Sequence, residues 1–267
     1  ETGQSPVDEY QGMTYEGKGL GSRYMVDHGI RADYALVAEA TGWGMSWVEC
    51  GAVYVKVTLR GRNMYTPRLI RGDNLSQHPN ALVKGAEVIR ALEAWAIDYE
   101  ERNSYESICG PVRPKSQVGA VRGGVPYRPN RASPVCNIYL DVRTVPGSDQ
   151  DAVVQEVRSL VQEIDPSAEV ECFMAKAGYE GVGVEPLSEA IAKGYDSVIG
   201  GTPPQPEVAI TSMWRDTNIF NSSGIPSLTF GLGRGESSVQ GTGSYDLKDL
   251  VACSQIYALT ALDLCGD

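Results

Sequence analysis

Residues 33–61 read DYALVAEATGWGMSWVECGAVYVKVTLRG, and two kinds of strand stand side by side in them. The run Tyr34 to Ala38 is short and continuously apolar, which predicts a strand covered on both faces. It ends in Glu39 and then Ala40-Thr41-Gly42, so a carboxylate falls at the carboxyl edge of a sheet, where open α/β sheets carry their chemistry. After the turn, Val53, Val55, Val57 and Leu59 alternate with Tyr54, Lys56, Thr58 and Arg60. That is the period of a sheet with one wet face. Two sheet types predict two domains.

Working outward, residues 51 to about 178 give strand, helix, strand, strand, helix, strand. The first helix runs from Asn80 to about Glu101, with Leu82, Ala86, Ile89, Leu92, Ala96 and Tyr99 on one stripe and Asn80 as its cap. Strands follow near Gln117 to Val121 and at Val135 to Val145, then a helix from Asp151 to Ile164 and a strand from about Ala168 to Met174. This order is that of the split βαβ, or ferredoxin-like, sandwich. From Pro186 the earlier style returns: a helix to about Val198, the segment Val208 to Thr211, a strand from Ser227 to Phe230, the glycine loop 231–235 and a long amphipathic helix from Leu247 to Leu264. The reading is an α/β domain, 1–48 and 179–267, interrupted by a ferredoxin-like (βαββαβ) domain, 49–178. Residues 1–31 hold six glycines and read as a loop with a short helix near Ser22 to His28. The chain opens without a methionine or a leading strand, and a preceding segment is expected.

The 267 residues carry 23 Lys and Arg against 34 Asp and Glu, a net charge of −11. No cationic stripe is present to grip nucleic acid or an anionic membrane. No run approaches the ~18 to 20 apolar residues that span a bilayer. The six cysteines are scattered without a CxxC pair, which argues against a zinc ribbon or a disulfide framework and for reduced thiols in the cytoplasm. Gly17-Lys18-Gly19-Leu20-Gly21 follows no strand and so lacks the context of a phosphate cradle.

The blocks ADYALVAEATG, VKVTLRG, HPNALVKGAEVIRALE, NIYLDVRTVPG and RDTNIFNSSGIPSLTFGLG, in that order, resemble the acetylornithine deacetylase, succinyl-diaminopimelate desuccinylase, aminoacylase and carboxypeptidase G family of zinc hydrolases. The resemblance covers nearly the whole chain. It implies a metal-bearing α/β domain and a lid domain that dimerises, giving a homodimer or heteromer. It also implies one or two zinc ions, or cobalt or manganese, and hydrolysis of an amide bond in a small N-acyl amino acid, dipeptide or related carboxylated amide.

Carried over residue by residue, Glu39 matches the family's acidic metal ligand and Glu1 lies near its base and bridging glutamates. Arg143 and Asn130 match lid residues that approach the substrate's carboxylate and the scissile carbonyl oxygen; Arg offers a planar fork and Asn a hydrogen bond to an oxyanion. A pairing of Arg143 with Asp141 is the structural alternative. Gly231 and Gly233 would offer backbone donors to substrate, and Asp216 would order the site through hydrogen bonds. Two departures stand out. Gln240 occupies the position of a ligand histidine, and an amide oxygen is the poorer zinc ligand. Tyr65 stands for the lid's oxyanion-binding histidine, and its hydroxyl still donates. The two histidines, His28 and His78, lie away from the matched ligand positions. A non-catalytic carboxylate-binding or regulatory homologue on the same scaffold is the alternative function.

Overall fold

The computed structural model describes residues 2–4, 14–16, 19–232 and 244–266. The chain forms two compact units, one of residues 1–50, 105–112 and 178–267, the other of 51–104 and 113–177. The sequence reading gave 49–178 to one domain; the short hairpin Tyr105–Ser107 (β6) with Gly110–Val112 (β7) instead belongs with the first unit. Its attachment there is concrete, because the Thr211 hydroxyl donates to the Pro111 carbonyl at 2.7 Å and the Trp47 N–H points at Cys109 Sγ.

In the first unit the pair Thr2–Gln4 (β1) and Thr14–Glu16 (β2) is antiparallel, within a region expected to be loop and one helix. That helix is α1, Leu20–Asp27. Ala35–Ala38 (β3) pairs in parallel with Ser227–Phe230 (β12), Ala38 opposite Phe230. The expectation of two covered faces holds for β12, which is buried throughout, and fails for β3, which is half-buried to exposed. Leu228 and Phe230 form a core with Leu187, Ile191 and Tyr195 of α4 (Glu185–Val198) and Ile256 of α7 (Leu247–Cys265). α7 carries a broader apolar surface than an amphipathic stripe, since Leu247, Leu250, Val251 and Leu262 are exposed. Val48–Glu49 (β4) pairs with Tyr179–Glu180 (β11), and the short helices Val208–Thr211 (α5) and Thr217–Ser222 (α6) complete the unit.

The second unit follows the expected order. Gly51–Arg60 (β5), Ala81–Arg102 (α2), Ser116–Gly123 (β8), Val135–Thr144 (β9), Gln150–Ile164 (α3) and Glu169–Lys176 (β10) make an antiparallel sheet in the order β10-β5-β9-β8. Val53, Val55, Val57 and Leu59 point into a core with Val88, Leu92 and Tyr99 of α2 and Val154, Val157 and Val161 of α3. The alternation in the sequence arises because one face of β5 is covered by these helices. The stripe expected on α2 holds at Ile89, Leu92, Ala96 and Tyr99 and departs in the first turns, where Leu82 and Ala86 are exposed while Ala81, Lys84, Gly85 and Val88 are buried. Asn80 caps α2 as expected, its side chain accepting from the Leu82 N–H, and it accepts from the Ser133 N–H as well. Lys84 reaches Asp165 at the end of α3, 2.8 Å away, with both side chains nearly sealed from solvent.

Among the described residues no helix is long and apolar enough to cross a membrane.

Candidate functional site

Thr41 joins the carboxyl ends of β3 and β12. Its hydroxyl donates to the Gly44 carbonyl at 2.6 Å and accepts from the Gly231 N–H at 3.0 Å, and Trp43 donates its N–H to the Gly231 carbonyl. Gly231 lies so close to β3 that a Cβ there would meet the Glu39 carbonyl oxygen at 2.0 Å. This close approach is what glycine permits. The Gly231 N–H, expected to face substrate, is therefore committed to Thr41.

Glu39 stands at this edge with about half of its side chain exposed. Its Oε2 accepts from Arg215 Nε at 2.6 Å. Arg215 is buried, and its Nη1 donates to Glu49 Oε2 at 2.8 Å and to the Ile210 carbonyl at 2.7 Å, while Nη2 approaches Met213 Sδ. Glu49 is fully buried and its Oε1 has no hydrogen-bond partner. Burial pushes the Glu49 carboxyl up to about 8, with Arg215 pulling the other way. One guanidinium thus ties the end of β3, β4 and the segment around α5 together.

Neither Glu49 nor Arg215 was singled out from the sequence. Signals existed: Glu49 is a lone charge in the apolar run Trp47 to Val55, and Arg215 stands next to Asp216 in a polar cluster. A charge in such a run needs a buried partner.

Asp216 Oδ2 accepts from the Ser22 hydroxyl at 2.5 Å, tying α1 to α6. Asn218 donates to the Cys50 carbonyl and accepts from the Tyr179 N–H, fixing α6 against β4 and β11. His28 stacks on Tyr24 and bonds its carbonyl, and His78 Nδ1 accepts from the Asn80 N–H.

The second unit brings some of its expected residues together and separates others. Tyr65 bridges Arg131, whose guanidinium lies over the Tyr65 ring at 5.8 Å. The Thr66 N–H donates to the Asn130 carbonyl, so Tyr65 and Asn130 sit at one end of the sheet, just beyond the Arg60–Val135 pair. Beside them Asn63, Tyr127, Arg128 and Arg131 line a hollow of about 120 Å³. Arg143 lies opposite Ala52, at the other end of β9. At ~3.3 Å per residue, the eight steps from Val135 to Arg143 span roughly 26 Å. Arg143 Nη2 donates to Asp141 at 2.8 Å, the structural alternative foreseen for it.

Glu1, Gln240 and Gly233, expected as ligands, base or substrate contacts, lie outside the described residues. Among the described residues no three His, Cys, Asp or Glu side chains gather where an ion could sit. Nor do the groups at Glu39 fit a divalent ion, because one oxygen of that carboxylate is already held by a buried guanidinium whose permanent charge repels a cation at this site.

Residues 68–169 match the family described as the peptidase dimerisation domain. This segment is similar to that domain. The whole fold is shared more widely. The chain superposes on aminopeptidase PepT from Bacillus cereus ATCC 10987 with a TM-score of 0.62 and 14% identity, covering 94% of this chain and 62% of that one. A tripeptidase from Staphylococcus aureus gives 0.63 and 14%, covering 91% and 60%. A hydantoinase/carbamoylase family amidase from Burkholderia ambifaria gives 0.62 and 11%, covering 89% and 55%. The chain thus spans about three-fifths or less of the length of these structures. The family match and the shared fold agree with the peptidase and amidohydrolase resemblance read from the sequence blocks.

Proposed function

We propose that this protein is an amide-bond hydrolase acting as a homodimer on a small amide that carries a carboxylate, such as an N-acyl amino acid or a short peptide. The observation that carries the reading is the layout of the peptidase dimerisation domain. Tyr65 and Asn130 stand at one end of its sheet and Arg143 at the other, roughly 26 Å away by the strand rise. A small substrate cannot touch both from one chain. A second copy, related by two-fold symmetry, can bring the missing cluster to each site. The hollow of about 120 Å³ beside Tyr65 is too small for an ordinary ligand pocket, which fits one wall of a site completed by another surface.

In this reading Arg143 presents its guanidinium edge to the substrate carboxylate, with Asp141 holding the other edge. Tyr65, 43% exposed, donates its hydroxyl to the carbonyl oxygen as charge develops there, and the Asn130 amide donates beside it. The groups at Glu39 do not fit the divalent ion that the resemblance implies, so the reading rests on the residues of the second unit.

The test is amine release by the full chain from a panel of N-acetyl amino acids and dipeptides, with and without added zinc, cobalt or manganese. Tyr65→Phe and Arg143→Ala are each expected to lose most of the activity. Mixing the two variants restores about a quarter of wild-type activity, because half the dimers are mixed and each of those regains one of two sites. Inactive variants that gain nothing on mixing contradict the shared site.

A second reading is favoured by Arg215. A non-catalytic protein that keeps the carboxylate pocket would be stabilised against heat by N-acyl amino acids, with no amine released under any metal condition.

A further inference from the structure

The position where the family resemblance places a metal ligand holds an ion pair with an arginine. Arg215 has a side chain only 2% exposed, and each of its three guanidinium nitrogens is engaged. Nε meets Glu39 at 2.6 Å and Nη1 meets Glu49 at 2.8 Å. The remaining contacts, to the Ile210 carbonyl and Met213 Sδ, come from the segment immediately before it.

We propose that Arg215 is the resident cation of this cluster: it takes the place of a divalent ion at Glu39 and clamps the carboxyl end of β3 to β4. Three physical points carry this. First, a buried guanidinium stays charged and requires a counter-charge, which Glu39 at the end of β3 supplies, while Glu49 of β4 accepts a second hydrogen bond from it. Second, zinc takes a carboxylate oxygen at ~2.0–2.2 Å. An ion on Glu39 Oε2 would face the fixed positive charge already bonded to that atom. Third, the guanidinium cannot swing aside to admit an ion, because burial and its other contacts fix it to the Ile210–Met213 turn. A metal cross-links the elements that supply its ligands; here one arginine fork does this, reaching Glu39, Glu49 and the α5 segment at once.

The inference does not rest on the hydrolase reading. Hydrolysis by the full chain leaves it standing, and a metal at Glu39 removes it even if no substrate is cleaved.

The experiment is zinc binding to the full chain, measured as equilibrium competition against a chromogenic zinc chelator and as metal content after dialysis. Wild type is compared with Glu39→Gln. The expected result is the same stoichiometry and a zinc Kd unchanged within about twofold, a span of under about 0.5 kcal/mol. That holds whether the chain takes up zinc through other residues or takes up none. A tenfold or greater loss of affinity in Glu39→Gln, or one zinc fewer per chain, overturns the proposal. If Glu39→Gln does not fold, Glu39→Asp replaces it. That variant keeps the charge and withdraws the carboxylate by one methylene, and the same two outcomes decide.

Discussion

Replacing Glu49 by Gln should abolish a pH dependence of stability whose size and sign follow from the burial of one carboxyl. Glu49 is 0% exposed, accepts one hydrogen bond from Arg215 and leaves Oε1 without a partner. Burial, opposed by Arg215, carries its pKa from 4.5 up to about 8. The folded state therefore holds a proton that the unfolded chain releases. The stabilisation is complete below the unfolded value near 4.5 and is lost as pH rises through about 8. A displacement of about 3.5, at ~1.36 kcal/mol for each pKa unit, corresponds to about 5 kcal/mol over the window. Gln is neutral at every pH and imitates the protonated acid. Urea unfolding of both proteins, followed by tryptophan fluorescence at constant ionic strength between about pH 5 and pH 9, gives the difference in stability directly. Wild type should lose several kcal/mol relative to Glu49→Gln as pH rises. A difference that is flat, or that grows in favour of wild type, refutes the reasoning.

Two further perturbations test the packing around the site and within the second unit. Lys84→Met leaves Asp165 as an unpaired buried charge between α2 and α3, and chemical unfolding should show a loss of about 3–5 kcal/mol; a loss under about 1 kcal/mol would mean that the pair is not sealed as described. In the same pair, burial pushes the Asp165 carboxyl up, but its bonds from Lys84 and Ser167 outweigh this and hold it below the ordinary carboxylate range. Gly231→Ala drives a Cβ against the Glu39 carbonyl and should cost more than about 3 kcal/mol or abolish soluble protein, since backbone on both sides must move; an unchanged unfolding midpoint would contradict the contact.

The split βαβ unit was legible because its strands and helices announce themselves by period. Val53 to Leu59 alternate, Asn80 caps, and Pro146-Gly147 stops β9. The stripe of α2 was legible from Ile89 to Tyr99 but not in the first turns, because Lys84 is buried through its ion pair and Gly85 through close packing on Cys136, and neither is apolar in the ordinary sense. The hairpin 105–112 escaped because its attachment to the first unit runs through Thr211 and Trp47, residues far away in sequence. In the candidate site, Glu39 was found from its place at a strand end. Its partner was not, because the bond to Arg215 joins residues 176 apart, and nothing local in the sequence reports such a pairing. Arg143 was placed beside Asp141 correctly by the alternation of β9, while its distance from Asn130 became visible only with the strand register.

The central claim, that a guanidinium occupies the place of a metal, is tested most directly by the Arg215 Nε–H resonance in a nitrogen–proton spectrum of the full chain, assigned through Arg215→Lys. Held between Glu39 and the protein interior, that proton should exchange slowly with solvent, shift in Glu39→Gln and stay in place when stoichiometric zinc is added. A resonance that exchanges freely, or that moves or vanishes on adding zinc in wild type but not in Glu39→Gln, would show that the ion displaces Arg215 from Glu39.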